Sequence, residues 1–363
     1  MTTQRFNQTE ITSAGHAKLR RAKPDCSKLK RTNLRGIGIQ SEIMEGQVIE
    51  NTSKTARGMW ASAWARLKRN KLAMASLVFI CAMACLVAFG PPIWEKISGF
   101  SYDYTPPEEE LQRSLPPSLK HPMGTDDQGR DLFARVLQGG RVSMMVGLIA
   151  TIVSLVLGIS YGAFSGFIGG WVDNLLMRIV DILYSIPYIL IVIVLLSFFG
   201  GPNTPGWVNS IAYYTTGSTG QGLSQIFLLF FALGLVSWLT MARVVRGQVL
   251  SLKHQDFILA ARVCGASDFA IVFKHLIPNT LGTVIVYATL TIPGVMLTEA
   301  FLSFLGLGVQ PPFASWGSLV ESGIKNLAIF PWQLIFPGLL MAATLFSLNF
   351  LGDGLRDAFD PRA

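Results

Sequence analysis

Charged side chains are scarce in this sequence. Only 14% of its 363 residues are Asp, Glu, Lys or Arg, whereas 50% are hydrophobic. A soluble domain carries about 25% charged residues, so the composition excludes an ordinary soluble globular protein. The mean hydropathy is +0.44, and apolar runs of roughly 18 residues or more, the length that crosses a bilayer core, recur along the chain. We therefore predict an all-α polytopic membrane protein.

Metal ligands and catalytic groups are also sparse. Cysteines occur only at positions 26, 81, 85 and 264, without zinc or disulfide spacing, and the four histidines at 16, 121, 254 and 275 do not cluster. The sequence contains no Gly-x-x-x-x-Gly-Lys-[Ser/Thr] segment that would cradle nucleotide phosphates. We predict no catalytic residue, no metal site and no cofactor on this chain, and hence no enzymatic activity of its own.

Basic residues are concentrated near the N-terminus. Residues 1–71 hold 15 of the 30 Lys and Arg but only five Asp or Glu. No folded module accompanies them, so nucleic-acid binding is not predicted. The region 1–58 lacks hydrophobic periodicity and is predicted to be a disordered arm, followed by an amphipathic lead-in at 59–71.

Six apolar runs predict six transmembrane helices. The third holds Pro187 and the fifth holds Pro293, and Gly90-Pro91-Pro92 is expected to end the first. We divide the chain into a first helix with an outer loop at 72–141, a five-helix core at 142–353 and a C-terminal tail at 354–363. The predicted spans are about Leu72–Phe89, Val142–Phe164, Ile179–Phe199, Gln225–Met241, Leu281–Phe304 and Leu334–Phe350.

Loop charges predict that both termini face the cytoplasm. Segment 93–140 carries five basic and eight acidic residues, and segment 200–224 carries no charge. By contrast, segments 165–178 and 242–280 together hold six Lys or Arg. Because Lys and Arg crowd the cytoplasmic side of membrane spans, the polar loop at 243–279 is predicted to be cytoplasmic.

That loop has the pattern of a helical hairpin. A short helix is predicted over Leu252–Cys264, and Gly265 supplies the turn because glycine tolerates a positive φ at a helix end. Ser267 is placed to cap a second helix, from about Asp268 to Leu276. Pro278 is expected to limit its continuation, since the residue before a proline avoids the helical region. Such a hairpin presents a compact knob to a partner.

The hairpin resembles the cytoplasmic Glu-Ala-Ala loop of ATP-binding-cassette importer permeases. The family pattern is Glu-Ala-Ala, three residues, Gly, nine residues and Ile-x-Leu-Pro. Both spacings hold here, and the substitutions fall at Leu259, His275 and Ile277, where the family has glutamate, isoleucine and leucine. The resemblance implies that the following residues couple the chain to an ATPase: Ala260, Ala261, Gly265, Ala266, Ser267, Asp268, His275 and Pro278.

Five further blocks are similar to the C-type subunits of oligopeptide and dipeptide permeases. They are His121–Met144, Gly166–Pro187, Ser237–Lys253, Glu299–Gly317 and Asn349–Pro361. With them the resemblance runs from about Met59 to the last residue, and it implies a type I importer permease fold in the bacterial inner membrane. The implied partners are a B-type permease subunit, two ATPase subunits that bind ATP and Mg, an extracytoplasmic peptide-binding protein and membrane lipid.

The expected cargo is oligopeptides, with dipeptides, nickel chelates or a peptide antibiotic as alternatives on the same architecture. A more remote alternative is an ion-coupled secondary transporter. Such a transporter is expected to show an inverted repeat, and none is evident in the sequence.

Three residues inside the spans are candidates for the translocation path or a subunit interface. Glu299 lies within an apolar run, where an acid costs about 2.5–3.5 kcal/mol at mid-span on insertion scales. It should face a partner helix or a water-filled path, with a structural hydrogen bond at the subunit interface as the equal alternative. Pro187 and Pro293 each remove a backbone hydrogen bond, so each marks either a bending point or a packing irregularity.

The remaining charged and aromatic candidates are assigned structural roles. Arg178 and Asp181 are spaced to pair along one helix, at about 0.2–0.5 kcal/mol. Trp316 is predicted to anchor the exit of the fifth span at the membrane interface, with a docking surface for a binding protein as the alternative. Three charged residues of the outer loop are predicted to stabilise the fold of that loop rather than to catalyse a reaction. They are Asp126, Arg130 and Asp131.

Overall fold

The computed structural model describes residues 59–107, 114–199 and 221–359, together with residues 206 and 210. The predicted basic arm at 1–58 and most of the 200–224 loop lie outside these residues. Within them the regular secondary structure is helical, apart from one isolated bridge between Thr125 and Asp131.

The helices of the described residues are numbered here in chain order. Within α8, residues Ile271–Leu276 are wound as a π-helix. The bounds are α1 (Met59–Leu67), α2 (Lys71–Ser98), α3 (Leu132–Ile168), α4 (Gly170–Ser185), α5 (Tyr188–Phe199), α6 (Gln221–Leu252), α7 (Asp256–Val263), α8 (Asp268–Phe304), α9 (Trp316–Lys325) and α10 (Trp332–Phe359).

The number of apolar spans agrees with the sequence prediction. Five helices, α2, α3, α6, α8 and α10, are long and apolar enough to cross a membrane, and the bent pair α4–α5 makes up to six. Both α3 and α8 contain 37 residues, which corresponds to about 55 Å of helix. Since a bilayer core is only about 30 Å thick, these two helices are long enough to extend well beyond it.

The predicted end of the first span is wrong. Helix α2 passes through Pro91 and Pro92 and ends at Gly99, which has φ 77° and donates its N–H to the Glu95 carbonyl. Proline is tolerated inside membrane helices. Gly90 has a packing role instead, because a Cβ there would lie 3.2 Å from the Leu137 side chain of α3.

The third predicted span is broken rather than continuous. Helix α4 ends at Ser185 and α5 starts at Tyr188, and the two axes differ by 82°. Ile186 has the extended backbone, φ −85° and ψ 129°, that a following proline imposes. The expectation of a bend at Pro187 is therefore confirmed, whereas Pro293 is buried within an uninterrupted α8.

Glycines bring α3 unusually close to α6. A Cβ at Gly158 would lie 2.6 Å from the Met241 side chain, and one at Gly162 would lie 2.4 Å from the Ala242 carbonyl oxygen. Ala163 and Val245 are buried in the same interface. These two helices form the framework on which the rest of the core packs.

The last helix is longer than predicted. Helix α10 continues to Phe359, so most of the segment assigned as a C-terminal tail at 354–363 is helical. At its end, Phe359 packs edge-to-face on Trp60 of the amphipathic helix α1, with ring centroids 5.5 Å apart. A Cβ at Gly354 would lie 2.3 Å from Cβ of Ala73 in α2, so α1, α2 and α10 are held together at this end.

Candidate functional site

The predicted hairpin is present and is called here the hairpin segment (Asp256–Leu276). Its first helix, α7, begins at Asp256 rather than Leu252, because α6 runs to Leu252 and a turn follows. Gly265 has φ +82° with open space around it, and Ser267 Oγ accepts the Ala270 N–H at 3.3 Å. The predicted turn and helix cap are confirmed.

Backbone hydrogen bonds close the turn between the two arms. The Cys264 N–H donates to the Ala260 carbonyl at 2.9 Å, and the Ala266 N–H donates to the Ala261 carbonyl at 3.1 Å. The latter bond spans five residues, as in a Schellman helix ending that needs a left-handed residue after the helix. Gly265 meets that need, so the spacing between the alanine pair and the glycine sets the geometry of the turn.

The prediction that Pro278 limits the second arm is wrong, because the arm continues directly into α8. Proline has no N–H to donate and its ring opposes the carbonyl four residues earlier. The chain adopts a wider winding just before it, in which Ile277 donates its N–H to Val272, five residues back. The Asn279 side chain donates to the His275 carbonyl at 2.6 Å. A π-helical segment of this kind is not signalled by the apolar pattern.

Three buried side chains attach the hairpin segment to the long helices. Ile258, Ile271 and Leu276 are almost completely buried, in a cluster with Val249 of α6 and Val284 of α8. Burial of such side chains stabilises by about 1.5–3 kcal/mol each. The hairpin segment is thus fixed to the ends of α6 and α8, and a force applied to it reaches both helices.

Other large apolar side chains of the hairpin segment are exposed. Val263 is 81% exposed and Phe269 is 71% exposed, and the Phe269 and Phe273 rings lie 4.3 Å apart. Leu259, at the position of the motif glutamate, is also exposed. Several large apolar side chains on one small protruding segment are typical of a surface that binds another protein.

A cavity lies beside the break between α4 and α5. It has a volume of about 540 Å³, and Pro187, Tyr184 and Tyr188 line it together with residues of α6 and α8. The Tyr184 and Thr240 hydroxyls form a hydrogen bond across it. The other two candidates for the path, Pro293 and Glu299, do not line this cavity.

Glu299 is held inside the chain by three serines. Its carboxylate accepts hydrogen bonds from Ser303 at 2.8 Å, Ser315 at 2.7 Å and Ser143 at 3.4 Å. Ser143 in turn accepts the backbone N–H of Trp316 at 3.0 Å. These hydrogen bonds join α3, α8 and α9 within this chain, whereas the predicted structural hydrogen bond was at the subunit interface. We call these five residues the Glu299 cluster.

Trp316 does not anchor the membrane interface as predicted. It is fully buried, and its indole N–H donates to the Val136 carbonyl at 2.9 Å. A Cβ at Gly140 would lie 2.6 Å from its ring, so the tryptophan fills a space that only glycine leaves open in α3.

The predicted Arg178–Asp181 pair is wrong. Asp181 accepts a hydrogen bond from Arg243 of α6 at 2.9 Å, and the Arg243 guanidinium lies 4.0 Å from the centre of the Tyr184 ring. Asp173 is bonded to Arg246 of α6 through two hydrogen bonds of 2.5 Å. Both acids therefore tie α4 to α6.

The acids of segment 93–140 that were candidates are structural, as predicted. Asp126 bonds to Arg130 at 2.8 Å. Asp131 caps α3 by accepting the Ala134 N–H and also bonds to His121 Nδ1, both at 2.9 Å. Among the residues that the structure describes, no group of three or more His, Cys, Asp or Glu is placed to hold a metal ion.

Comparison with known families gives two matches. Residues 154–363 match the family described as "Binding-protein-dependent transport system inner membrane component". Residues 58–117 match the "N-terminal TM domain of oligopeptide transport permease C". A solved structure of the MetNI methionine ABC transporter in inward-facing conformations is similar over 62% of this chain and 96% of that chain, with a TM-score of 0.42 and 18% identity.

Curated relatives are similar along most of the sequence. The oligopeptide transport system permease protein OppC of Haemophilus influenzae is 42% identical over 86% of this chain and 92% of its own length. OppC of Bacillus subtilis is 40% identical over 86% and 93%, and the dipeptide transport system permease protein DppC of that species is 40% identical over 83% and 85%. The chain therefore belongs to the binding-protein-dependent inner-membrane permeases, in the C-subunit branch that contains the oligopeptide and dipeptide permeases.

Proposed function

We propose that this chain is the transmembrane subunit of an ATP-driven importer that moves oligopeptides into the cytoplasm. Oligopeptide permeases of three species are 40–43% identical to it over most of their length. The observation that carries the proposal is the hairpin segment. It is bound to α6 and α8 through buried aliphatic side chains and exposes an apolar face around Val263 and Phe269.

The proposed assembly contains one further permease and three other components. A B-type permease would form the other half of the path, two ATPase subunits would bind ATP and Mg, and an extracytoplasmic binding protein would deliver the peptide. This chain would carry no cofactor and perform no covalent chemistry. The N-in/C-in orientation, supported by the loop charges, would place the hairpin segment in the cytoplasm against one ATPase.

The mechanism follows from the attachment of the hairpin segment. Closure of the ATPases would push on its exposed face, and Ile258, Ile271 and Leu276 would pass the displacement to the ends of α6 and α8. Those two helices also line the cavity beside Pro187. Movement at the ATPase would thereby change the opening of the cavity. The predicted coupling residues would act through the shape of the hairpin segment and its attachment to α6 and α8.

The proposal is tested with a double variant, Val263→Glu and Phe269→Glu, made in the complete transporter. Both side chains are exposed, so the variant should fold and still purify with the B-type permease. We expect it to lose the ATPase subunit that docks on this chain, and with it ATP-dependent peptide uptake in vesicles. A matched control is Leu119→Glu, a fully exposed leucine outside the hairpin segment. ATPase binding that survives the double variant would refute the coupling role of this face.

Dipeptides are the second cargo to consider, because dipeptide permeases are also 34–40% identical to this chain. Uptake of a labelled pentapeptide into vesicles, in competition with unlabelled dipeptides, separates the two cargoes. The oligopeptide proposal expects weak competition by dipeptides. Strong competition together with poor pentapeptide uptake would assign the chain to dipeptide transport.

A further inference from the structure

A second cavity continues the first along the same two helices. It has a volume of about 520 Å³ and is lined by α6, α8 and the end of α10. On α6 the lining passes from Leu233–Thr240 in the first cavity to Arg243–Gln248 in the second. On α8 it passes from Thr298–Thr291 to Leu290–Thr283. The linings of the two cavities follow one another on both helices, and the surface along them is called here the α6–α8 groove.

The groove has the length of a short peptide. From Leu233 to Gln248 a helix rises by about 22 Å at 1.5 Å per residue. An extended chain advances about 3.3 Å per residue, so six or seven residues would lie along it. The second cavity is at the end of the groove that is closer to the hairpin segment, because α6 ends at Leu252 and α8 begins at Asp268.

The first cavity is lined largely by apolar side chains, and three of its hydroxyl groups offer hydrogen-bond acceptors. Its lining contains no charged side chain. Ser237 donates its hydroxyl hydrogen to the Leu233 carbonyl at 2.8 Å, Thr291 donates to Tyr287 at 2.7 Å and Thr298 donates to Gly294 at 2.9 Å. With these hydrogens engaged, the hydroxyl oxygens retain only lone pairs, which suit the N–H groups of a peptide.

The second cavity offers cationic donors. Arg243 and Arg356 line it with Gln248 and Tyr287, and no carboxylate does. Arg243 already bonds to Asp181 at 2.9 Å. Arg356, in contrast, has no carboxylate within salt-bridge distance among the described residues. A guanidinium in a cavity that no carboxylate of the described residues neutralises is suited to an anion, and to a carboxylate in particular because its paired N–H groups match both oxygens.

We propose that Arg356, with Arg243, binds the C-terminal carboxylate of the cargo peptide at the hairpin end of the α6–α8 groove. This inference rests on the proposed function, since it requires a peptide in the groove. The peptide N–H groups face the hydroxyl acceptors of the first cavity and the carboxylate lies at the cationic end. In the proposed orientation the carboxylate end is the one nearer the cytoplasm.

The test uses the complete transporter in vesicles and compares one pentapeptide with its C-terminal amide. Each is supplied at a concentration that saturates the binding protein, measured separately, so that delivery is equal. We expect the wild type to transport the free acid about fivefold to tenfold faster than the amide, the range of one charge-assisted contact. Arg356→Gln should bring the ratio close to one, and Arg356→Lys should retain part of it.

Arg178→Gln is the matched control, because Arg178 is exposed and lies outside the groove lining; it should keep the wild-type ratio. Equal uptake of acid and amide by the wild type would overturn the inference without any variant, as would an unchanged ratio in Arg356→Gln. A defect of Arg356→Gln that affects both peptides equally and occurs only in vesicles with phosphatidylglycerol would assign the arginine to lipid headgroups, also against it. Absence of ATP-dependent uptake by the wild type would instead refute the importer proposal itself.

Discussion

The two ends of helix α8 are stabilised in different ways. At its C-terminal end the Glu299 cluster is buried, and each of its polar side chains bonds to another part of this chain. At its N-terminal end the hairpin segment has a few buried aliphatic anchors, while large apolar side chains such as Val263 and Phe269 remain exposed. One end is complete within the chain, and the other has a surface that a partner would complete.

This difference separates residues that stabilise the fold from exposed residues that are available to bind a partner. Removal of a side chain from the Glu299 cluster leaves buried polar groups without partners, which costs stability. Replacement of an exposed side chain on the hairpin segment should leave the fold intact and, under the proposed function, weaken binding of the ATPase subunit. The comparison predicts that stability and coupling can be impaired independently at the two ends.

The largest loss of stability is expected for Trp316→Ala. The substitution removes a fully buried side chain and its hydrogen bond to Val136, and large-to-small changes of this kind cost about 3–5 kcal/mol. Unfolding of the detergent-solubilised protein by denaturant measures the loss. Trp171→Ala is the control, since Trp171 is 75% exposed and should change little. If Trp316→Ala lowered the free energy of unfolding by less than about 1 kcal/mol, the buried contacts at the C-terminal end of α8 would not be what stabilises that end.

Glu299→Ala should be the next most destabilising change. Three buried serine hydroxyls lose their acceptor, and we expect a loss of about 2–3 kcal/mol because each buried unpaired group costs about 1–3 kcal/mol before relaxation. Glu299→Gln keeps one acceptor oxygen and should cost less. The measurement is again the free energy of unfolding, together with peptide uptake. If Glu299→Gln left stability unchanged but abolished uptake, the carboxylate would belong to the path and not to the structural cluster.

A smaller effect is expected for Gly265→Ala at the hairpin end. The φ of +82° costs a residue with a Cβ about 1–2 kcal/mol, although no atom lies within 4 Å of the added methyl group. Gly338→Ala is a matched control, because that site in α10 is equally open and alanine favours a helix by about 1 kcal/mol over glycine. The two variants should therefore change stability in opposite directions. Stabilisation by Gly265→Ala would show that the turn does not require the left-handed conformation.

Local patterns in the sequence predicted the elements that depend on neighbouring residues. Apolar runs identified the spans because a bilayer requires about 20 consecutive apolar residues in a helix. Gly265 and Ser267 were assigned correctly since a turn and a cap involve residues three or four positions apart. For Pro187 the sequence leaves a bend and a packing irregularity as equal alternatives, and the structure shows the bend.

Contacts between distant parts of the chain could not be predicted in this way. Ser143 and Glu299 are separated by 156 positions, and Trp316 and Val136 by 180. Asp181 was matched with Arg178 because only helical spacing was visible, whereas its partner Arg243 lies on another helix. Pro91 and Pro92 predict a helix end by local rules, but a membrane helix can continue through prolines, as α2 does.

The smallest effect on stability is expected for Asp268→Asn in the hairpin segment. Its carboxylate lies 3.9 Å from Arg262, and the two side chains are 76% and 60% exposed; ion pairs of this kind contribute about 0–1 kcal/mol. We expect the free energy of unfolding to change by less than about 0.5 kcal/mol in low or high salt, whereas affinity for the ATPase subunit, measured by titration of the purified subunit, should fall. Arg262→Gln is the matched change on the other partner. A loss of more than about 1 kcal/mol from Asp268→Asn would mean that the hairpin end also depends on its own polar contacts, and the division between the two ends would then fail.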